Sequence, residues 1–272
     1  MPDISTLLPM VAFLLAVGAF AGVLAGLLGV GGGIVLVPAF YYVFSALGHG
    51  GPNLMQVCVA TSLATIVVTS LRSVRAHMQK GAVDMGILRG WGPGIVIGSL
   101  LGSLVATQLR TEWLTAIFAI LALIVAIYMA VSRPHWRLAQ EMPRGWRQYI
   151  YSPAVGFLSV LMGIGGGSFG VPLMTLHGVP IHRAVATAAG FGMLIAVPAV
   201  ILFLVLPAGG VTPPLTLGLV NVPAFLVIIA MTLLTAPLGA RLAHRMDPAP
   251  LKRVFAVFLF LVALNMLRKV FF

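Results

Sequence analysis

Gly29-Val30-Gly31-Gly32-Gly33, with Pro38 close behind, interrupts an apolar run that extends from about Leu7 to Leu47. Four glycines in five residues do not make a helix interior, because each costs about 1 kcal/mol there relative to alanine. The cluster has a twin, Gly163-Ile164-Gly165-Gly166-Gly167, and Pro172 follows it at the offset that Pro38 keeps from the first. Inside a bilayer, non-helical backbone survives only where protein or a water-filled cavity covers it. Paired breaks at corresponding positions of two halves point to a transporter's binding site. Close helix packing through small residues is the alternative, and Gly22-x3-Gly26 and Gly98-x3-Gly102 have that look. Three consecutive glycines, repeated, read instead as a broken helix.

The 272 residues are 60% hydrophobic and 8% charged, with a mean hydropathy of +1.11. That balance is that of an integral membrane protein, sized for one membrane domain without a large soluble one. The single cysteine, Cys58, lies in an apolar segment. It excludes a disulfide framework and a cysteine metal site and reads as a small buried side chain. The first segment, from about Pro9, outlasts a signal-peptide core and has no basic region before it, so it is expected to be retained. A net charge of +11 does not point to nucleic acid, because the 16 Lys and Arg fall between or after the apolar runs. Such connections orient membrane proteins, and nothing resembles a nucleic-acid module.

The chain reads as an all-α, polytopic transmembrane protein. A first repeat spans 1–131, a cytoplasmic linker 132–149 and a second repeat 150–272. After the broken run 7–47, helices are expected over 54–71, 91–107 and 113–131. The second broken run covers 150–177, followed by helices from His182 to about Leu206, over 215–240 with interruptions at Pro223 and Pro237, and over 254–267. The duplication reaches beyond the glycines. Val59-Ala60-Thr61-Ser62 matches Val185-Ala186-Thr187-Ala188, and Leu101-Gly102 with Leu114 matches Leu238-Gly239 with Leu251. Loops 72–90, 132–149 and 241–253 hold four Lys/Arg each, Arg72, Arg75, Lys80 and Arg89 in the first of them, which places them in the cytoplasm. Loop 207–214, the counterpart of 72–90, has none. Equivalent loops therefore lie on opposite faces, which implies inverted repeats with an odd number of crossings each. Each glycine-broken run then acts as a re-entrant hairpin or a pair of crossings. Arg268 and Lys269 fall outside in that scheme, and a parallel arrangement of four crossings per half stays open.

The carboxylates Asp3, Asp84, Glu112, Glu141 and Asp247 all lie at a terminus or in a connection. Ion-coupled pumps commonly carry such groups inside the membrane. No metal spacing, nucleophile elbow or P-loop is present, so neither an enzyme nor a cofactor is indicated, and a cation substrate would lack a counter-charge. A small anion suits what remains. Half-helix N-termini offer free N–H groups and a positive dipole end, and glycine lets backbone approach a ligand. Hydroxyls can donate to oxyanion oxygens. The expected site is therefore Gly31, Gly32, Gly33, Thr61, Ser62, Gly165, Gly166, Gly167, Ser168 and Thr187. For the threonines the competing reading is a bond to their own helix carbonyl. His177, His182 and Arg183 flank the second break without counterparts in the first half. They are candidates for a charge or proton role against an interfacial reading.

GLLGVGGGIVLVP, LMGIGGGSFGVP and VATSLA together resemble the sulfite exporter TauE/SafE family of membrane anion permeases, over nearly the whole chain. The resemblance implies a multi-pass bacterial plasma-membrane protein moving sulfite, sulfonates or related sulfur compounds, usually outward. Uptake of the same class is the alternative, followed by a membrane subunit without transport activity or an intramembrane enzyme. The second half departs from the pattern at Ala188, where the first has Ser62, so the site has one hydroxyl fewer.

Overall fold

The structure, a computed structural model, describes residues 4–28, 32–132, 136–206, 212–243 and 248–271. Gly29, Val30 and Gly31 of the first cluster lie outside the described residues, as do Asp3, Arg133, Arg245, Asp247 and most of the turn 207–214. In order the elements are α1 (Ile4–Leu28), α2 (Gly33–Ala46), α3 (Leu54–Gln79), α4 (Met85–Gln108), α5 (Thr111–Val131), α6 (Trp146–Leu161), α7 (Gly167–Leu176), α8 (Ile181–Val205), β1 (Thr216–Leu217), β2 (Val220–Asn221), α9 (Val222–Ala243) and α10 (Pro248–Phe271). Six helices among the described residues are long and apolar enough to cross a membrane: those within α1, α3, α4, α5, α8 and α9. The chain is a multi-pass membrane protein.

Three local expectations change. Only 80–84 of the expected loop 72–90 is a connection. Arg72 and Arg75 ride the end of α3 and Arg89 the start of α4, because long basic side chains tolerate helix and reach the membrane surface from it. Pro223 and Pro237 do not interrupt α9. Pro223 sits in the first turn, where its missing N–H costs nothing. A two-stranded antiparallel hairpin, Thr216 opposite Asn221 and Leu217 opposite Val220, precedes α9 where helix was expected. Its turn carries Gly218 at φ +56°.

The halves interlock. α1 packs along α9, α6 along α4, α3 against α8 and α5 against α10. Small residues allow the first two pairings: a Cβ on Gly22 would stand 2.9 Å from the Thr232 Cα, and one on Gly102 2.9 Å from the Phe157 carbonyl. The close-packing reading of those two motifs holds.

Helices α3 and α8 occupy corresponding places in the two halves and run antiparallel. Asp84, just beyond the end of α3, gives its N–H to Thr187 near the start of α8 (2.9 Å). Asn221, beyond the end of α8, gives its N–H to Thr61 near the start of α3 (2.9 Å). Asp84 and Asn221 stand at the offset that relates Gly102 to Gly239. Each is also an N-cap, Asp84 accepting from Ile87 N–H (3.1 Å) and Asn221 from Ala224 N–H (3.1 Å). One joint is thus built twice, once at each end of the central pair.

Both broken runs fold back on themselves. Phe13 of α1 meets Tyr42 of α2 at 5.5 Å, and Gly32 returns the chain against Ala21. Gln148 of α6 and His177 at the end of α7 line one cavity. The core is α3, continuously buried from Leu54 to Ile66. Outward faces stay apolar, with Ile97, Ile124, Leu234 and Val257 exposed at 55%, 55%, 69% and 61%. That is the surface a helix presents to lipid rather than water.

Candidate functional site

Helix α6 ends at Leu161, and the chain stays non-helical until Gly167. The interruption is internally bonded, as a break in a bilayer must be. Gly163 N–H reaches Val160 O (2.8 Å) and Ile164 N–H reaches Ser159 O (2.9 Å). Gly163 takes φ +61°, and its carbonyl accepts the Ser62 hydroxyl of α3 (2.7 Å). Glycine is required where α7 begins: a Cβ on Gly166 would stand 2.7 Å from the Ala188 carbonyl and 3.0 Å from the Gly192 nitrogen. Gly165 lies between, buried within the same interruption.

The two breaks touch. A Cβ on Gly33, the first residue of α2, would lie 2.5 Å from the Gly163 carbonyl oxygen and 3.0 Å from the Ser62 Oγ. The start of one half-helix therefore rests on the interruption of the other half. Gly32 precedes it with φ 69° and no side-chain cap, and Gly31 lies outside the described residues.

At α7 the helix starts from Gly166, again without a side-chain cap. Its first helical bond runs from Gly170 N–H to Gly166 O (2.8 Å). The N–H groups of Gly167, Ser168 and Phe169 precede it and have no helical acceptor. In that first turn the Ser168 hydroxyl is buried, 4% exposed, and has no hydrogen-bond partner. A buried hydroxyl left so costs about 1–3 kcal/mol. Donors collected at a helix N-terminus suit an anion on both hydrogen bonding and dipole.

The other expected residues separate by role. Thr61 and Thr187 are buried, and each accepts a cap N–H at one of the two antiparallel joints. The repeat pairing that singled them out reflects a shared structural bond. Ser62 commits its proton to Gly163. Ser159, equivalent to Ala25, also has a buried unpartnered hydroxyl. Sequence reasoning passed over it, although its replacement of a small apolar residue beside the cluster was a usable signal.

His177, His182 and Arg183 are not at the break. Ser168 and His177 mark opposite ends of α7, about 14 Å apart along the helix. His177 Nδ1 bonds the Leu173 carbonyl oxygen (2.7 Å), and His182 is exposed in the first turn of α8. Arg183 Nε lies 3.4 Å from Asp84 Oδ2. Both line a cavity of about 520 Å³ with His177, Trp91, Gln148 and Arg144. The linker closes it from one side, Leu138 N–H bonding Leu176 O at the end of α7 (2.7 Å). Asp84, Glu112 and Glu141 pair with Arg183, Arg110 and Arg144 at 3.4, 3.5 and 3.6 Å. Such exposed pairs contribute little stability.

Residues 14–266 match the family described as Sulfite exporter TauE/SafE. A "Probable membrane transporter protein" of Haemophilus influenzae is 33% identical over 256 residues, 94% of this chain and 97% of that protein. Proteins with the same description from Methanocaldococcus jannaschii, 27% identical over 260 residues, and Bacillus subtilis, 29% over 274, each match 93% of this chain. They are covered over 94% and 96% of their own lengths.

Proposed function

The chain belongs to the sulfite exporter TauE/SafE family, and on that basis we propose that it carries a small sulfur-containing anion, sulfite or an organosulfonate, outward across a bacterial inner membrane. The observation that carries the reading is the partnerless, buried Ser168 hydroxyl in the uncapped first turn of α7. Together with the N–H groups of Gly167 and Ser168 it offers hydrogen-bond donors within one helical turn, which suit a sulfonyl or sulfite oxygen. Gly166 and Gly33 keep the backbone close enough for the two breaks to form one wall. Thr61, Ser62 and Thr187 support that wall through their bonds to Asn221, Gly163 and Asp84.

Purified protein in liposomes loaded with labelled sulfite tests this. A hydrogen bond to a charged oxygen contributes about 1.5–3 kcal/mol, so Ser168→Ala is expected to slow efflux about ten- to hundredfold at low substrate. Its thermal unfolding should not worsen, because the hydroxyl bonds nothing in the empty protein. Wild-type efflux rates from Ser168→Ala would move the site elsewhere, and movement of neither sulfite nor a labelled sulfonate by wild type would remove the substrate class.

The halves are, in this reading, inverted across the membrane. The antiparallel course of α3 and α8 supports it, as do Arg72, Arg75, Lys80 and Arg89 gathered at the Asp84 end. That end then faces the cytoplasm. With Cys58→Ser as background, Lys80→Cys and Leu217→Cys should react with an impermeant maleimide from opposite sides of the membrane. Reaction of both from one side restores the parallel arrangement.

A further inference from the structure

A second cavity, about 430 Å³, lies between α1, α2 and α10. Its deep end is apolar, where Phe20 and Phe258 meet edge to face at 5.9 Å. Its other end is cationic. There the Lys269 ammonium stands 5.2 Å from the Tyr41 ring centre and 6.0 Å from that of Tyr42, with Asn265 one turn back on α10. Among the described residues that line the cavity there is no carboxylate.

The dimensions narrow the choice of occupant. Lys269 is in the last turn of α10, and the rise from it back to Phe258 is about 16 Å. A bilayer's hydrocarbon core is about 30 Å thick, so the groove is as deep as one leaflet. Lysine near a helix end carries its charge to the headgroup level, and tyrosine favours the same level. The equivalent position in the first half is Ser132, so the cation was not dictated by the duplication.

We propose that this groove is a binding site for an anionic phospholipid, with its phosphate on Lys269 and Asn265 and one acyl chain running past Phe258. A leaflet-deep apolar slot ending in a single cation complements that amphiphile in both length and charge. Val35 and Pro38 line the slot, so the acyl chain lies directly on α2, the half-helix that begins at Gly33.

Native mass spectrometry on the detergent-purified protein tests this. The probe is an equal mixture of phosphatidylglycerol and phosphatidylcholine with identical acyl chains. Wild type should retain one phosphatidylglycerol in about fivefold preference, the effect of one lysine against an anionic headgroup. Lys269→Gln, at an exposed position, should lose the preference and Lys269→Arg should keep it. Ala16→Phe, which fills the slot from the exposed face of α1, should retain neither lipid. Equal retention of both lipids by wild type overturns the proposal, and so does an unchanged preference in Lys269→Gln. A dimer mass that appears in place of lipid adducts and vanishes in Ala16→Phe also overturns it, in favour of a second copy.

Discussion

Both glycine breaks lead into a half-helix that starts without a side-chain cap, and they differ in the side chains around them. At the second, Ser62 bonds the Gly163 carbonyl, and Ser168 and Ser159 hold buried hydroxyls. The positions equivalent to Ser168, Ser159 and Ser62 in the other half are Ile34, Ala25 and Ala188. Duplication supplied two interruptions, and polar chemistry gathered at one. The first break meets the second where Gly33 comes close to the Gly163 carbonyl. Asymmetry of this kind suits a substrate bound once per molecule rather than once per half.

The sharpest way to break this comparison is to add one carbon at each interruption. Gly166→Ala drives a Cβ into the Ala188 carbonyl and the Phe191 side chain. Overpacking there should cost about 3 kcal/mol and abolish sulfite efflux. Gly32→Ala meets more room, 3.0 Å from the Ala21 carbonyl, but must hold φ +69°. It should cost about 1–2 kcal/mol and leave slower efflux. Thermal unfolding in detergent, paired with the liposome assay, reads both. Equal losses in the two variants would mean that the interruptions are equivalent after all.

A smaller effect is expected at Ser62. Ser62→Ala leaves the Gly163 carbonyl buried without a donor, a loss of about 1–3 kcal/mol. It should lower the unfolding temperature more than Ser168→Ala does, although both remove one hydroxyl near one break. The reverse order would show that Ser168, not Ser62, holds the interruption together.

The two joints between α3 and α8 offer the mildest test. At one end Asp84 adds an ion pair with Arg183, and at the other Asn221 is neutral, bonding Pro214 O and Thr216 Oγ1 at 3.0 Å each. Asp84→Asn makes the ends alike while preserving a good cap. The Arg183 side chain is 54% exposed and that of Asp84 25%, so solvent screening should hold the cost below about 1 kcal/mol. A loss several times larger in thermal unfolding would mark the pair as a true fastener of that end.

Much of this architecture was legible from residue order. The glycine clusters announced breaks because helix propensity is a property of each residue, and the repeated VAT segments announced duplication. Gly22 and Gly102 announced close packing because small side chains leave little else to do in a bilayer. Basic residues marked one face even where Arg72 and Arg75 proved helical, since charge sidedness does not depend on local conformation. The β1–β2 hairpin before α9 was not legible. Its strands are two residues each, too short for a periodicity.

Tertiary structure alone decided which hydroxyl is free. Thr61, Ser62, Thr187 and Ser168 look alike as a list of donors, and their partners lie far off in the chain. Ser62 meets Gly163 across 101 positions, Thr187 meets Asp84 across 103 and Thr61 meets Asn221 across 160. The last two bonds exist only because α3 and α8 cross in opposite directions, and the first because the α6–α7 interruption lies against α3. That crossing is set by the packing of whole helices, of which propensity and periodicity, being local, carry no record.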